Sequence, residues 1–137
     1  MTAKAPCLDQ LDHQQRQTEA EAAIQKRILA FHQQGGFKQA VEVYRAALAR
    51  QPEDWQMHMN LGNFFTDFSD HAGAVNEYEA AVKFMPAYPA LRVMLAQALL
   101  QTGKRTEAIM QLEETLRIAP DSSVAKEGLA QLLGRRK

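Results

Sequence analysis

Residues 58–86 read HMNLGNFFTDFSDHAGAVNEYEAAVKFMP. Two stretches of helical periodicity lie in this segment, divided by Ser69-Asp70 and closed by Pro86. In the first, Leu61, Gly62 and Phe65 fall at helical spacing. In the second, Ala74, Tyr78 and Ala81 do the same, and Val75 and Val82 stand two turns apart on one face. Proline cannot continue a helix, and the residue before it avoids the helical region, so Pro86 ends the unit.

The pattern recurs on both sides at a step of 34 residues (86 − 52 and 120 − 86): Pro52, Pro86 and Pro120 share it. So do Ala40, Ala74 and Ala108; Tyr44, Tyr78 and Leu112; Ala47, Ala81 and Thr115; and the breakers Gly35, Ser69 and Gly103. Each half-unit is too short to be a stable helix alone, because helix nucleation is costly. The halves must therefore pack. Small residues at Gly62, Ala96, Ala40, Ala74 and Ala108 let backbones approach, and Phe65, Tyr78, Leu99 and Leu112 fill the volume beside them. The pairs Val41/Leu48, Val75/Val82 and Ile109/Leu116 are placed to meet the next unit.

This period, with small, aromatic or large apolar, small and proline positions in fixed order, resembles the tetratricopeptide repeat. The middle unit carries it best, as His58-x2-Leu61-Gly62-x2-Phe65, Ala74-x3-Tyr78 and Pro86. The third reads Arg92-x2-Leu95-Ala96-x2-Leu99, Ala108-x3-Leu112 and Pro120. The first is weaker at its start, where Ile28 stands in a place the family gives to a small residue, and recovers at Ala40, Tyr44 and Pro52. The resemblance implies an all-α solenoid of antiparallel helix pairs in a right-handed superhelix. Its repeats lie at about 21–54, 55–88 and 89–122. A capping helix follows at 123–134, started by Asp121-Ser122-Ser123, stopped by Gly134 and followed by the basic tail 135–137. Seven helices are expected, near 21–34, 37–50, 54–67, 71–84, 88–101, 105–118 and 123–134. Residues 1–20, polar and poor in apolar groups, are open between a helical extension and disorder.

Composition narrows the function. Lysine plus arginine and aspartate plus glutamate are both 16, so the net charge is zero. Such a chain has no general attraction for nucleic acid or anionic lipid. No apolar run approaches the length of a membrane span, and Met1–Leu11 lacks the apolar core of a secretory signal; a cytoplasmic setting is expected. The single cysteine, Cys7, has no histidine near it in sequence. His58 stands between Met57 and Met59, but successive helical residues point about 100° apart and cannot share an ion. His58 also takes the usual tryptophan place of the repeat, which implies packing. Glu113-Glu114 diverge on their helix, and Gly35-Gly36 lacks the Lys-Ser/Thr ending of a phosphate loop. No enzyme, metal or cofactor is expected.

The resemblance places binding on the concave face, which the first helix of each pair lines and where family members hold a peptide or helix of a partner protein. The expected lining is Gln25, Leu29 and His32; Met59, Asn63, Thr66 and Asp67; Val93, Gln97, Leu100 and Gln101; and Glu127 and Gln131 from the cap. It is neutral and mixed, suited to an amphipathic or helical segment. An adaptor or assembly factor is the leading reading. A dedicated chaperone for a secreted or membrane-complex subunit, or a permanent non-catalytic subunit, are the alternatives. Family members that capture acidic chaperone C-termini use a cationic two-carboxylate clamp. At the matching places this chain has Gln25, Leu29, Asn60, Ala90 and Met94, of which only Asn60 agrees. An acidic C-terminal peptide is therefore expected to bind weakly or not at all, because a desolvated carboxylate pair would lack compensation. Calorimetry showing tight 1:1 binding that is lost on amidating the peptide would contradict this.

Overall fold

A computed structural model describes residues 5–134, with side chains from residue 14 onward. Seven helices follow one another: α1 Ala5–Gln33, α2 Phe37–Arg50, α3 Trp55–Asp67, α4 His71–Phe84, α5 Pro89–Gln101, α6 Arg105–Ile118 and α7 Ser123–Leu132. No strand occurs among the described residues. Six of the seven helices lie within two residues of the spans read from periodicity. The exception is α1, which begins at Ala5 rather than near residue 21. Its first half carries no apolar stripe, yet it is rich in Gln, Glu, Ala, Leu and Arg, residues that lose little freedom in a helix. The tail 135–137 and the side chains of Cys7 and His13 lie outside the described residues.

The chain divides into two compact units, residues 1–49 and 50–137. In the first, α1 turns into α2 through Gln34-Gly35-Gly36, where the Gly36 amide donates to the Phe31 carbonyl at 2.7 Å. Ile28, Ala40, Val43, Tyr44 and Leu48 are buried there. Ile28, oversized for its place in the repeat, is only 5% exposed.

In the second unit, α3 packs on α4, α4 on α5, α5 on α6 and α6 on α7. The turn within each pair uses a left-handed residue: Gly35 and Gly103 at φ 72° and 81°, and Ser69 at φ 61° in the matching place. A non-glycine residue pays a steric cost in that region. Asp70 offsets some of it next door: its side chain accepts from the Gly73 amide at 3.0 Å and caps α4. Asp54 and Ser122 cap α3 and α7 in the same way, and Pro89 occupies the first turn of α5, where its missing N–H costs nothing.

The core of this unit is made by the repeat positions. Leu61, Leu91 and Leu99 are fully enclosed, each stabilising the fold by about 1.5–3 kcal/mol. Ala74, Ala81 and Ala108 are 0% exposed. Thr115, at the place of Ala81, is equally buried and satisfies its hydroxyl by donating to the Gln111 carbonyl at 2.8 Å.

Gly62 is the tightest point. A Cβ built there would stand 2.5 Å from Cε1 of Tyr78, well inside van der Waals contact. Gly62→Leu should lower stability by at least ~1–3 kcal/mol, the usual cost of overpacking, and Gly62→Ala should also destabilise. Thermal unfolding checks this; a variant melting with the parent would show that the ring yields freely.

Candidate functional site

In the second unit, α3, α4 and α5 enclose a cleft of about 400 Å³, lined by Thr66, His71, Tyr78, Met94, Gln97, Ala98 and Gln101. Thr66 ends one first helix and Gln97 and Gln101 lie on the next, so the shared face of successive first helices is where the cleft opens. Tyr78, on the second helix between them, reaches that face because Gly62 gives its ring room.

The polar groups are tied together. The Tyr78 hydroxyl donates to Asn63 Oδ1 at 2.5 Å. Thr66 Oγ1 donates to the Gly62 carbonyl at 3.0 Å and lies 3.4 Å from the Tyr78 oxygen. Burial pushes the Tyr78 hydroxyl above its ordinary range; the Thr66 contact opposes this, and the negative charge of Asp67 adds to it. The hydroxyl hydrogens of Tyr78 and Thr66 are taken up within this network, by Asn63 and by Gly62 or Tyr78. His71 Nδ1 is enclosed without a hydrogen-bond partner. No lysine or arginine lines the cleft.

Of the expected lining, the cleft gathers Thr66, Gln97 and Gln101, and Asn63 joins through Tyr78. Asp67 lies beside it as an exposed charge acting on Tyr78. Leu100, Glu127 and Gln131 are exposed, and Met59 and Val93 are half-buried; none of these five lines the cleft. Gln25 and Leu29 are exposed and His32 half-buried in the first unit. Sequence reasoning assigned Tyr78 to packing volume alone, did not mark His71 or Ala98 for the expected lining, and placed Met94 only among the positions of the absent carboxylate clamp. Met94 and Ala98 stand one turn before and one residue after Gln97, a spacing that would have found them. Among the described residues, no group of three His, Cys, Asp or Glu side chains is placed to hold a metal ion. No helix there is long and apolar enough to cross a membrane.

Short helix pairs, a fixed 34-residue step and a face shared by first helices define a helical repeat module. The tetratricopeptide-repeat family models match residues 26–92 and 65–132; the chain belongs to the tetratricopeptide-repeat family. The small glutamine-rich tetratricopeptide repeat-containing protein 2 of Mycosarcoma maydis is 26% identical over 91 residues, which is 66% of this chain. The aligned part is only 26% of that relative's length. Three solved structures share the fold. The first tetratricopeptide domain of Spaghetti (RPAP3), bound to an HSP90 peptide, has TM-score 0.68 and 18% identity over 82% of this chain and 90% of that one. MamA has TM-score 0.73 and 16% identity over 86% and 66%. The Yersinia enterocolitica type III secretion chaperone SycD, in complex with a peptide of the translocator YopD, has TM-score 0.64 and 18% identity over 85% and 89%.

The raised Tyr78 hydroxyl has a measurable consequence. Its folded form holds the proton more tightly than the unfolded form, so its contribution to stability is complete below the unfolded tyrosine range and is lost as pH rises through the folded value. Ultraviolet titration of the parent should show a late-ionising phenol that is missing in Tyr78→Phe, and alkaline unfolding should be less steep in that variant.

Proposed function

We propose that this protein is an interaction module, an adaptor or assembly factor that holds a partner segment across the shared face of α3 and α5. The observation that carries the reading is the cleft where Thr66, Gln97 and Gln101 meet. A cleft of about 400 Å³ is within the size range of small-ligand pockets and admits one or two side chains of a bound segment. Its walls mix amide and hydroxyl groups with Met94 and Ala98, which suits an amphipathic segment. Tetratricopeptide domains with bound peptides, such as those of Spaghetti and SycD, support the reading by analogy of fold. The neutral lining argues against the acidic peptide class. Binding, not catalysis, is the proposed activity.

A dedicated chaperone for a secreted or membrane-complex subunit is the second reading, suggested by the fold likeness to the type III secretion chaperone SycD. A chaperone would release its client, whereas an adaptor would stay with its complex.

Thr66→Arg combined with Gln97→Arg tests the face. Both positions are exposed; Gln97→Arg should change the fold by no more than about ±0.5 kcal/mol, and Thr66→Arg gives up the Gly62 carbonyl bond at a cost of about 0.5–1.5 kcal/mol, while two bulky cations fill the cleft. Circular dichroism should show an intact helical fold, and affinity capture from the native cell, with quantitative mass spectrometry, should lose the partner held by the parent. Retention of that partner by the folded variant would place binding elsewhere.

A further inference from the structure

His58 is bonded at both ring nitrogens. Nδ1 lies 2.8 Å from Glu77 Oε1 on α4, and Nε2 lies 2.8 Å from the carbonyl oxygen of Pro52 in the loop before α3. The ring stacks on Phe84 with centroids 6.2 Å apart and planes 15° apart. The His58 and Glu77 side chains are only 14% and 16% exposed, so solvent does little to screen the pair.

The two acceptors dictate the protonation. A carbonyl oxygen only accepts, so Nε2 must carry hydrogen. An ionised carboxylate only accepts, so Nδ1 must carry hydrogen as well. Neutral imidazole has one N–H. Both contacts are hydrogen bonds only when the pair holds one proton more than a neutral ring and a carboxylate.

The next repeat repeats the arrangement with a permanent cation. Arg92 Nε donates to the Pro86 carbonyl at 2.9 Å, and Arg92 Nη1 donates to Gln111 Oε1 at 2.9 Å. All three members stand 34 positions beyond their counterparts (92 − 58, 86 − 52 and 111 − 77). A guanidinium donates to both acceptors at every accessible pH. In the first repeat the matching places hold Ile24 and Val43, which cannot form the link.

We propose that His58, Glu77 and the Pro52 carbonyl form a proton-dependent latch, the titratable counterpart of the fixed Arg92–Gln111–Pro86 link, and that it ties the loop before α3 to the α3–α4 pair. The ligand is the proton. With the proton bound, both contacts hold. When it leaves, one nitrogen becomes an acceptor facing an acceptor, and either the loop or α4 is released. The contribution to stability is therefore present while the extra proton is held between ring and carboxylate and lost when it leaves. Glu77 is the charged group that α4 brings to the ring, and the loop brings the Pro52 carbonyl. Asp54, the cap one turn earlier, has Oδ1 turned to the Met57 amide. Arg92 on α5 is held by Pro86 and Gln111.

The test uses the full chain. His58→Arg with Glu77→Gln copies the fixed link of the next repeat and leaves His13, His32 and His71 in place. Between about pH 5.5 and pH 8, the melting temperature of the parent should fall further than that of the double variant. The difference should be roughly 4–8 °C, as for one ordinary hydrogen bond in a unit of this size. Nitrogen NMR of the parent, with His58 assigned by substitution, should show N–H at both ring nitrogens at the low pH and one at the high pH. Parallel pH dependences, or a ring with a single N–H throughout, would overturn the latch. If the double variant does not fold, Glu77→Gln alone takes its place in the melting comparison, and a pH dependence parallel to that of the parent overturns the latch.

Discussion

The ring of Tyr78 rests against the backbone of Gly62 with no space for a single added carbon. Much of the second unit depends on that approach. It sets how closely α3 and α4 pack, and it carries the Tyr78 hydroxyl to Asn63 and Thr66 on the face where the cleft opens. One repeat later the volumes are redistributed. Ala96 replaces the glycine and Leu112 the tyrosine, both almost fully buried. Leu112 is in turn the neighbour that a side chain at Gly128 of the cap would meet, at 3.0 Å. Small residues thus recur opposite large ones, as interiors packed to crystal density require.

The architecture was legible because it is written three times. One 34-residue unit is ambiguous; three in one register place six of the seven helices within two residues. The start of α1 was not legible, since periodicity reads burial and residues 14–23, all exposed, have no buried stripe to display. The cleft was legible in part. Counting along the first helices found Thr66, Gln97 and Gln101, but it cannot see a second-helix side chain that crosses to the same face, as Tyr78 does. His58 shows a different limit. Its place in the repeat implied packing, and the ring does stack on Phe84. The polar half of its role lies in residues 6 and 19 positions away. Only a comparison of polar residues at the repeat step, with Pro52, His58 and Glu77 set against Pro86, Arg92 and Gln111, would have exposed it.

The cleft differs in kind from one built to hold anions. Its hydroxyl hydrogens are committed inward, its amides are ambivalent, and no cation stands in its wall. On the proposed reading, specificity comes from shape and from the penalty of leaving polar groups unpaired, rather than from long-range attraction. Association with a partner is accordingly expected to vary little with ionic strength.

In the second unit α3 to α7 pack each on the next along the chain. Such a stack is mechanically a series of links. A load applied between its ends passes through every interface in turn, and the weakest one sets where it gives. Because contacts join near neighbours along the chain, a pair pulled open need not wait for distant segments before it recloses. The repeat that makes the fold readable therefore also makes it extensible, with yield points that can be moved one interface at a time.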